Sequence, residues 1–265
     1  MTLSDPQFPL RPPGAEPRCH ALVACAGTGS RAGLEHPKQY QVLAGQRLID
    51  HTVGALLQVR RLDTVAVVVA PQDRVYSSPN ARVRVLPVGG ASRAESVFNG
   101  LQALRHAGAR DEDWVLVHDA ARCLVTARQI DALIDACRDD AVGGLLALPL
   151  PDTLKVARPA GPPRRVGRQE VSATVDRSDK WLAQTPQMFR LAALHQALAQ
   201  AQAGGFAGIT DEASAIEATG RQPLLVTGSA QNFKVTFPED FALAEALLRS
   251  RQSPARVETG QNPCP

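Results

Sequence analysis

With 265 residues and 28.2 kDa, the chain has room for one medium-sized domain with an appended arm. Hydrophobic residues reach 44% but aromatic ones only 4%, so the core must be built from Ala, Val and Leu, as in the buried strands and covering helices of α/β folds. A formal net charge of +3 gives no basis for a nucleic-acid surface, and no apolar run is long enough to span a membrane.

Residues 1–18 are proline-rich and lack a continuous apolar stretch, which predicts a disordered leader and not a signal peptide. Residues 252–265 read as a matching tail, leaving a domain over 19–251 into which 152–180 is inserted as an arm. The cysteines (Cys19, Cys25, Cys123, Cys137, Cys264) form no CxxC pair and no zinc-like spacing with histidine. That pattern predicts reduced thiols in a cytoplasmic protein, with Cys25 and Cys137 buried as small hydrophobes.

The first strand is expected over 21–26, running into the glycine-rich turn Gly27-Thr28-Gly29-Ser30-Arg31 and then Pro37-Lys38-Gln39. Leu48, Ile49, Val53, Leu56 and Leu57 make a helical stripe within 46–59. A β-branched run over 64–70, stopped by Pro71, suits a strand buried on both faces. A third strand over 82–88 ends in Gly89-Gly90, and Ser92 with Glu95 gives a capping-box pattern for the next helix. A fourth strand, 113–118, is followed by Asp119-Ala120-Ala121-Arg122, then a helix over 126–138 and a strand over 143–150. Strand and helix alternate with short connections, which predicts an α/β fold with a Rossmann-like, mostly parallel doubly wound sheet.

The alternation breaks at 152–180, a polar and basic stretch bent by prolines at 159–163. Extended segments over 153–157 and 170–175 predict a protruding β-hairpin arm. A lone hairpin is marginal in water, so a homodimer that packs the arm is expected, with a mobile surface loop as the equal alternative on composition alone. Residues 181–189 return to the core, and 191–203 reads as a helix. Thr210 is the expected N-cap of a further helix, with Asp211 and Glu212 favouring its positive end. Short strands are expected over 224–227 and 232–235, and Thr236 with Glu239 reads as a capping box for a last helix ending near residue 248.

The first loop spells GxGxxxG, which is neither the dinucleotide fingerprint nor a P-loop, and alone it is equally a tight strand-to-helix turn. Arg31 and Lys38 on the same loop point to an anion cradle, with backbone N–H groups facing a triphosphate and two cations folded over it.

The string AxxAxGTGSRAG…PKQ resembles the signature of nucleotidyltransferases that activate sugar phosphates. GGASRAESV (89–97), VHDAAR (117–122), DTLK (152–155), TVDR (174–177), QTPQ (184–187), ITDEAS (209–214) and NFKVTFPED (232–240) narrow the match, in order, over about residues 20–250. Together they resemble the 2-C-methyl-D-erythritol 4-phosphate cytidylyltransferase family, CTP-dependent enzymes of non-mevalonate isoprenoid biosynthesis. The resemblance implies that Arg31, Lys38 and Lys234 hold the CTP phosphates and stabilise the transition state. It places Ala24, Cys25, Ala26, Gly27, Gly29, Gly90, Ser96, Asp119 and Ala120 around the nucleotide, with Asp119 also at a Mg²⁺ ion. It places Asp152, Thr153, Arg177, Thr185, Thr210, Asp211 and Arg122 around the sugar-alcohol phosphate, with Thr153 and Arg177 serving the partner's site across a homodimer.

Three residues depart from the family pattern: Cys123 for proline, Ala91 for an acid and Phe237 for a basic residue. Ribitol-5-phosphate cytidylyltransferases share much of the motif set, and a non-catalytic nucleotide-binding module is a rival of another class. A dinucleotide oxidoreductase is disfavoured by the glycine spacing and by Asp50, which falls in a helical stripe and not at a strand end.

Overall fold

A computed structural model of the chain describes residues 8, 11–12, 14–27, 37–158 and 169–252. The chain begins its regular structure with β1 (Cys19–Ala24), followed by a 3₁₀ turn at Lys38–Tyr40 and a small hairpin of β2 (Val42–Leu43) and β3 (Gln46–Arg47). Next come α1 (Leu48–Leu57), β4 (Leu62–Val68), β5 (Val83–Leu86), α2 (Arg93–His106), β6 (Trp114–Asp119), α3 (Ala127–Cys137) and β7 (Gly143–Pro149). The arm is β8 (Leu154–Ala157) and β9 (Val171–Val175). The chain then forms β10 (Trp181–Arg190), α4 (Leu191–Gln202), α5 (Glu212–Glu217), β11 (Leu224–Thr227) and α6 (Pro238–Gln252).

Seven strands form one sheet in the order β11-β7-β10-β6-β1-β4-β5. All neighbours are parallel except β10, which runs antiparallel to both β6 and β7. The expected mostly parallel α/β architecture is therefore present, with one reversed strand inserted between two parallel ones. Successive residues of a strand face opposite sides, so Leu22 and Val23 enter different cores. Val23, Val65 and Leu116 pack with Ile49, Val53 and Leu56 of α1 and with Ile130 and Leu133 of α3. Leu22, Val68 and Val117 pack with Val97, Leu101 and Leu104 of α2 and with Leu194 of α4. α2 rides close to the sheet at Gly100, where a Cβ would stand 2.7 Å from Val68 Cγ2 and 2.8 Å from Leu22 Cδ1.

Several helix starts differ from the expectation. Ser92 caps α2 by accepting the Glu95 N–H at 3.1 Å, but the Glu95 carboxylate reaches past it to the Ala91 N–H at 2.7 Å. A reciprocal capping box, not foreseen, opens α3 through Thr126 and Gln129. The N-cap of α5 is Asp211 and not Thr210, because the Asp211 carboxylate accepts the Ser214 N–H at 2.9 Å. α6 is opened by Asp240, which accepts the N–H groups of Thr236 (2.7 Å) and Phe237 (2.8 Å), with Pro238 at the first helical position, where no donor is needed. Residues 232–235 form no strand: their polar groups bond Ala121, Arg122, Thr185 and Lys38 instead of a sheet ladder.

The described part of the expected leader lies against the domain. Phe8 is buried, its ring 5.0 Å from that of His20 and 4.2 Å from the Arg84 guanidinium. Arg11 Nη2 reaches both oxygens of Asp113 at 2.8 Å. Burial alone would push the Asp113 carboxyl upward, but hydrogen bonds from His20, the Arg110 N–H, Arg11 and the Arg18 N–H outweigh it and hold the group well below the usual carboxylate range. A lowered folded-state value stabilises the fold above the unfolded carboxylate's range and loses that contribution as the pH falls toward the folded value. The free energy of unfolding should therefore drop between about pH 5 and pH 2, and Asp113→Asn should flatten the slope. Urea titrations across that pH range measure it.

In the arm, β8 and β9 pair antiparallel, Leu154 opposite Val175, with Val156 and Val171 exposed. Cys19, Cys25, Cys123 and Cys137 are all free thiols. Burial pushes the Cys25 and Cys137 thiols up to about 12, so neither is a nucleophile near neutral pH. Among the described residues, no helix is long and apolar enough to cross a membrane.

Candidate active site

β1 has β4 on one side and β6 on the other, so the chain winds away from it in both directions. In open α/β sheets, the crevice at the carboxyl ends of such strands is where ligands bind. A cleft of about 630 Å³ lies there, lined by the exits of β1, β4 and β6, by Lys38 and Gln39, by the segment from Gly89 into the start of α2, and by Lys234.

One wall is backbone. Ala24, Cys25, Ala26 and Gly27 continue β1, and the Cys25 N–H donates to the Val68 carbonyl at 2.9 Å. The buried Gln39 side chain holds this wall, its Nε2 donating to the Cys25 carbonyl at 3.0 Å and the Gly27 carbonyl at 2.9 Å. The facing wall is Gly89 to Ser92. A Cβ on Gly89 would lie 2.4 Å from Ala26 Cβ, so only glycine lets the walls meet. Ser96 accepts the Gly90 N–H at 3.0 Å and donates to the Ser92 carbonyl at 2.8 Å. Its hydroxyl is thus committed to shaping the wall.

The floor is charged. Asp119, the last residue of β6, receives Lys234 Nζ on Oδ2 and Arg93 Nε on Oδ1, both at 2.8 Å. Arg93 also grips the buried Glu212 through two bonds of 2.7 and 3.0 Å. Arg122 lies further off, its Nε 3.8 Å from Asp119 Oδ2. Burial alone would raise the Asp119 carboxyl, but the Arg93 and Lys234 charges and their hydrogen bonds hold it well below the usual range.

Lys38 and Lys234 come from opposite ends of the chain and meet here. Lys38 Nζ donates to the Val235 carbonyl at 2.9 Å. The Val235 N–H in turn donates to the Ala121 carbonyl at 2.9 Å, and Arg122 Nη1 to the Asn232 carbonyl at 2.7 Å. The segment bearing Lys234 is therefore pinned to the turn bearing Asp119. Behind that turn, His118 is fully buried, its imidazole pushed down to about 4 chiefly by that burial. It is neutral and bonded on both nitrogens, with Nδ1 2.9 Å from Thr185 Oγ1 and Nε2 3.2 Å from the Arg122 carbonyl.

Of the residues singled out in the sequence, ten line the cleft together: Ala24, Cys25, Ala26, Gly27, Lys38, Gly90, Ser96, Asp119, Ala120 and Lys234. Gly29 and Arg31 lie outside the described residues. Thr210 and Asp211 line a separate recess of about 110 Å³ beside Arg93. Thr185 is buried behind Asp119 and does not line the cleft. Asp152, Thr153 and Arg177 are exposed on the arm and do not line it either. Arg93, Glu212 and Gln39 stand in quoted motifs but were not read as site residues. An arginine in a helix's first turn ordinarily reads as solvated charge, and nothing local to ITDEAS shows that its glutamate faces inward.

Comparison with known proteins identifies the family. A family model described as IspD, 2-C-methyl-D-erythritol 4-phosphate cytidylyltransferase, matches residues 19–250. The bifunctional enzyme IspD/IspF of Albidiferax ferrireducens is 57% identical over 240 residues, which cover 89% of this chain but only 54% of that protein. The chain thus spans about half the length of that relative. The 2-C-methyl-D-erythritol 4-phosphate cytidylyltransferase of Nitrosomonas eutropha is 49% identical over 237 residues, 87% of this chain and 97% of that one. A crystal structure of 4-diphosphocytidyl-2C-methyl-D-erythritol synthase superposes with a TM-score of 0.75 at 38% identity, covering 88% of this chain and 99% of its own.

Proposed function

The chain belongs to the 2-C-methyl-D-erythritol 4-phosphate cytidylyltransferase family, and on that premise we propose that it transfers the cytidylyl group of CTP to 2-C-methyl-D-erythritol 4-phosphate. The observation that carries this reading is the meeting of Lys38 and Lys234 beside Asp119 at the carboxyl ends of β1 and β6. With Arg93, the cleft lining holds three cations and one carboxylate, an excess of positive charge that suits a triphosphate.

In the proposed reaction, a phosphate oxygen of the acceptor attacks the α-phosphorus of CTP. The bond from that phosphorus to the bridging oxygen breaks, and pyrophosphate leaves with the electron pair. No protein nucleophile is needed, so catalysis is positioning plus charge stabilisation. Lys38 and Lys234 face the phosphoryl oxygens as negative charge shifts onto the leaving group, and Arg31 is assigned to the same task. The Gly27 loop and the Gly90 wall enclose the nucleoside, where Ser96 keeps the wall in shape. Asp119 is the single carboxylate among the lining residues and would be the side chain that holds a hard divalent cation, with triphosphate oxygens completing the set and with Arg93 and Lys234 sharing its two oxygens. When bound, Mg²⁺ would neutralise charge on the triphosphate and the departing pyrophosphate.

The test is Mg²⁺-dependent pyrophosphate release from CTP, with methylerythritol 4-phosphate in one arm and ribitol 5-phosphate in the other. Turnover is expected in the first arm; none in either would sink the reading.

The arm gives the proposed assembly. Exposed Val156 and Val171 and the exposed Arg177, whose side chain has no partner among the described residues, suit a hairpin that reaches a second copy. Arg177 would then grip the attacking phosphate with two parallel bonds, which lysine cannot supply. Light scattering should give twice 28.2 kDa. Mixing Arg177→Ala with Lys38→Ala chains should restore up to about a quarter of the sites, because random pairing leaves one intact composite site in half of the dimers. Activity that stays at the level of the separate variants would refute service in trans. The four free thiols suit a cytoplasmic location.

A further inference from the structure

We propose that Thr185 is a positioning residue that sets Asp119, and that His118 completes the same device; this rests on the reading of the cleft as a cytidylyl-transfer site. Thr185 Oγ1 accepts the backbone N–H of Asp119 at 3.0 Å and lies 2.9 Å from His118 Nδ1. A carbonyl only accepts, so His118 Nε2 carries the proton that meets the Arg122 carbonyl at 3.2 Å. In the neutral ring Nδ1 is then the acceptor, and the Thr185 hydroxyl proton points to it. The bonds run from the Asp119 N–H through Thr185 and His118 to the Arg122 carbonyl. The turn closes on itself through the Arg122 N–H, which donates to the Asp119 carbonyl at 3.0 Å.

Thr185 holds a second element as well. Its carbonyl accepts Asn232 Nδ2 at 2.9 Å, and the Asn232 carbonyl accepts Arg122 Nη1 at 2.7 Å. Asp119 thus hangs on the Thr185 hydroxyl, while the segment leading to Lys234 hangs on the Thr185 carbonyl. One residue of β10 fixes both members of the 2.8 Å Lys234–Asp119 pair. The reversed direction of β10 is what delivers that residue behind the carboxyl end of β6.

The Thr185 hydroxyl is buried, with its proton on His118 and a lone pair on the Asp119 N–H, so it is committed to holding protein groups. Loss of the hydroxyl should therefore act on kcat and on nucleotide affinity, and leave the acceptor KM alone. Removing a group that orients a ligating side chain typically costs ~10–100-fold.

Thr185→Val keeps the shape without the hydroxyl, whereas Thr185→Ser keeps the hydroxyl without the methyl. For the Val variant, kcat is expected to fall ~10–100-fold, with weaker CTP binding by calorimetric titration without acceptor. The Ser variant should recover both. His118→Asn, which retains an acceptor near the Nδ1 position, should outperform His118→Leu. A Val variant with undiminished kcat, a loss confined to the acceptor KM, or a Ser variant as impaired as Val would overturn the proposal. If His118→Leu does not fold, the Thr185 pair decides alone. The unmodified chain in the same assay separates the two levels. Its failure to release pyrophosphate sinks the functional reading, whereas an active chain with an equally active Val variant sinks only the positioning role.

Discussion

Lys234→Ala is expected to lower kcat by ~10²–10³, the usual loss when one preorganised donor to a developing charge is removed. The geometry says why a diffuse surface cation cannot replace it. Lys234 Nζ is held 2.8 Å from Asp119, and its segment is pinned through Val235 and Asn232 to the turn that follows β6. The cation is therefore in place before substrate arrives and needs no reorganisation as the bond to pyrophosphate breaks. Substituting Lys38 should cost at least as much, because Lys38 Nζ also donates to the Val235 carbonyl and steadies the same segment. Pre-steady-state quench of a single turnover would read the chemical step directly. A Lys234→Ala chain that kept near-full kcat under saturating substrates would show that the cation binds ground and transition states alike and does not stabilise the developing charge.

The parallel part of the sheet was legible because its strands are continuous apolar runs and its helices carry stripes of the right period. β4 and β6 were each expected within two residues of where they lie. The direction of β10 was not legible. Its sequence, WLAQTPQMFR, marks it as core without saying which way it runs, and only its neighbours β6 and β7 decide that. The stretch 232–235 looked like a strand by residue type, yet pairing choices made far away in sequence took its polar groups. Helix starts were misplaced for a related reason. Thr210, Asp211 and Ser214 compete for one cap, and the carboxylate wins by accepting the Ser214 N–H.

The cleft lining was more legible than its support. Backbone-presenting small residues and lysines in fixed motifs predict a phosphate site, and those described line one cleft. Arg93, Glu212, His118 and Gln39 act by holding other residues, and a holding role depends on partners 12 to 119 positions away for Gln39 and Arg93. Sequence spacing carries no information on such pairs. The Arg93–Glu212 contact is the clearest case, since a basic residue in an α2 first turn and an acid in an α5 first turn each have an ordinary local explanation.

Arg93→Met should be the most damaging single change to stability near the site, by ~3–5 kcal/mol, because it strands a buried partner charge. Glu212 is 1% exposed, and both its oxygens are bonded to Arg93. Asp119 also loses one of its two closest cations, so turnover should fall along with stability. The double variant Arg93→Met with Glu212→Met separates these effects. Removing both charges of a buried pair and filling the space with apolar atoms is often neutral for stability, so the double variant should regain much of the unfolding free energy. It should not regain activity, since nothing restores the bond to Asp119. Arg93→Lys should fail on both counts, as a single ammonium cannot span two carboxylates and grip one with two parallel bonds. Urea unfolding paired with steady-state rates reads both. If the double variant recovered kcat with its stability, Arg93 would serve only to bury Glu212, and the orientation of Asp119 would rest on Thr185 and Lys234 alone.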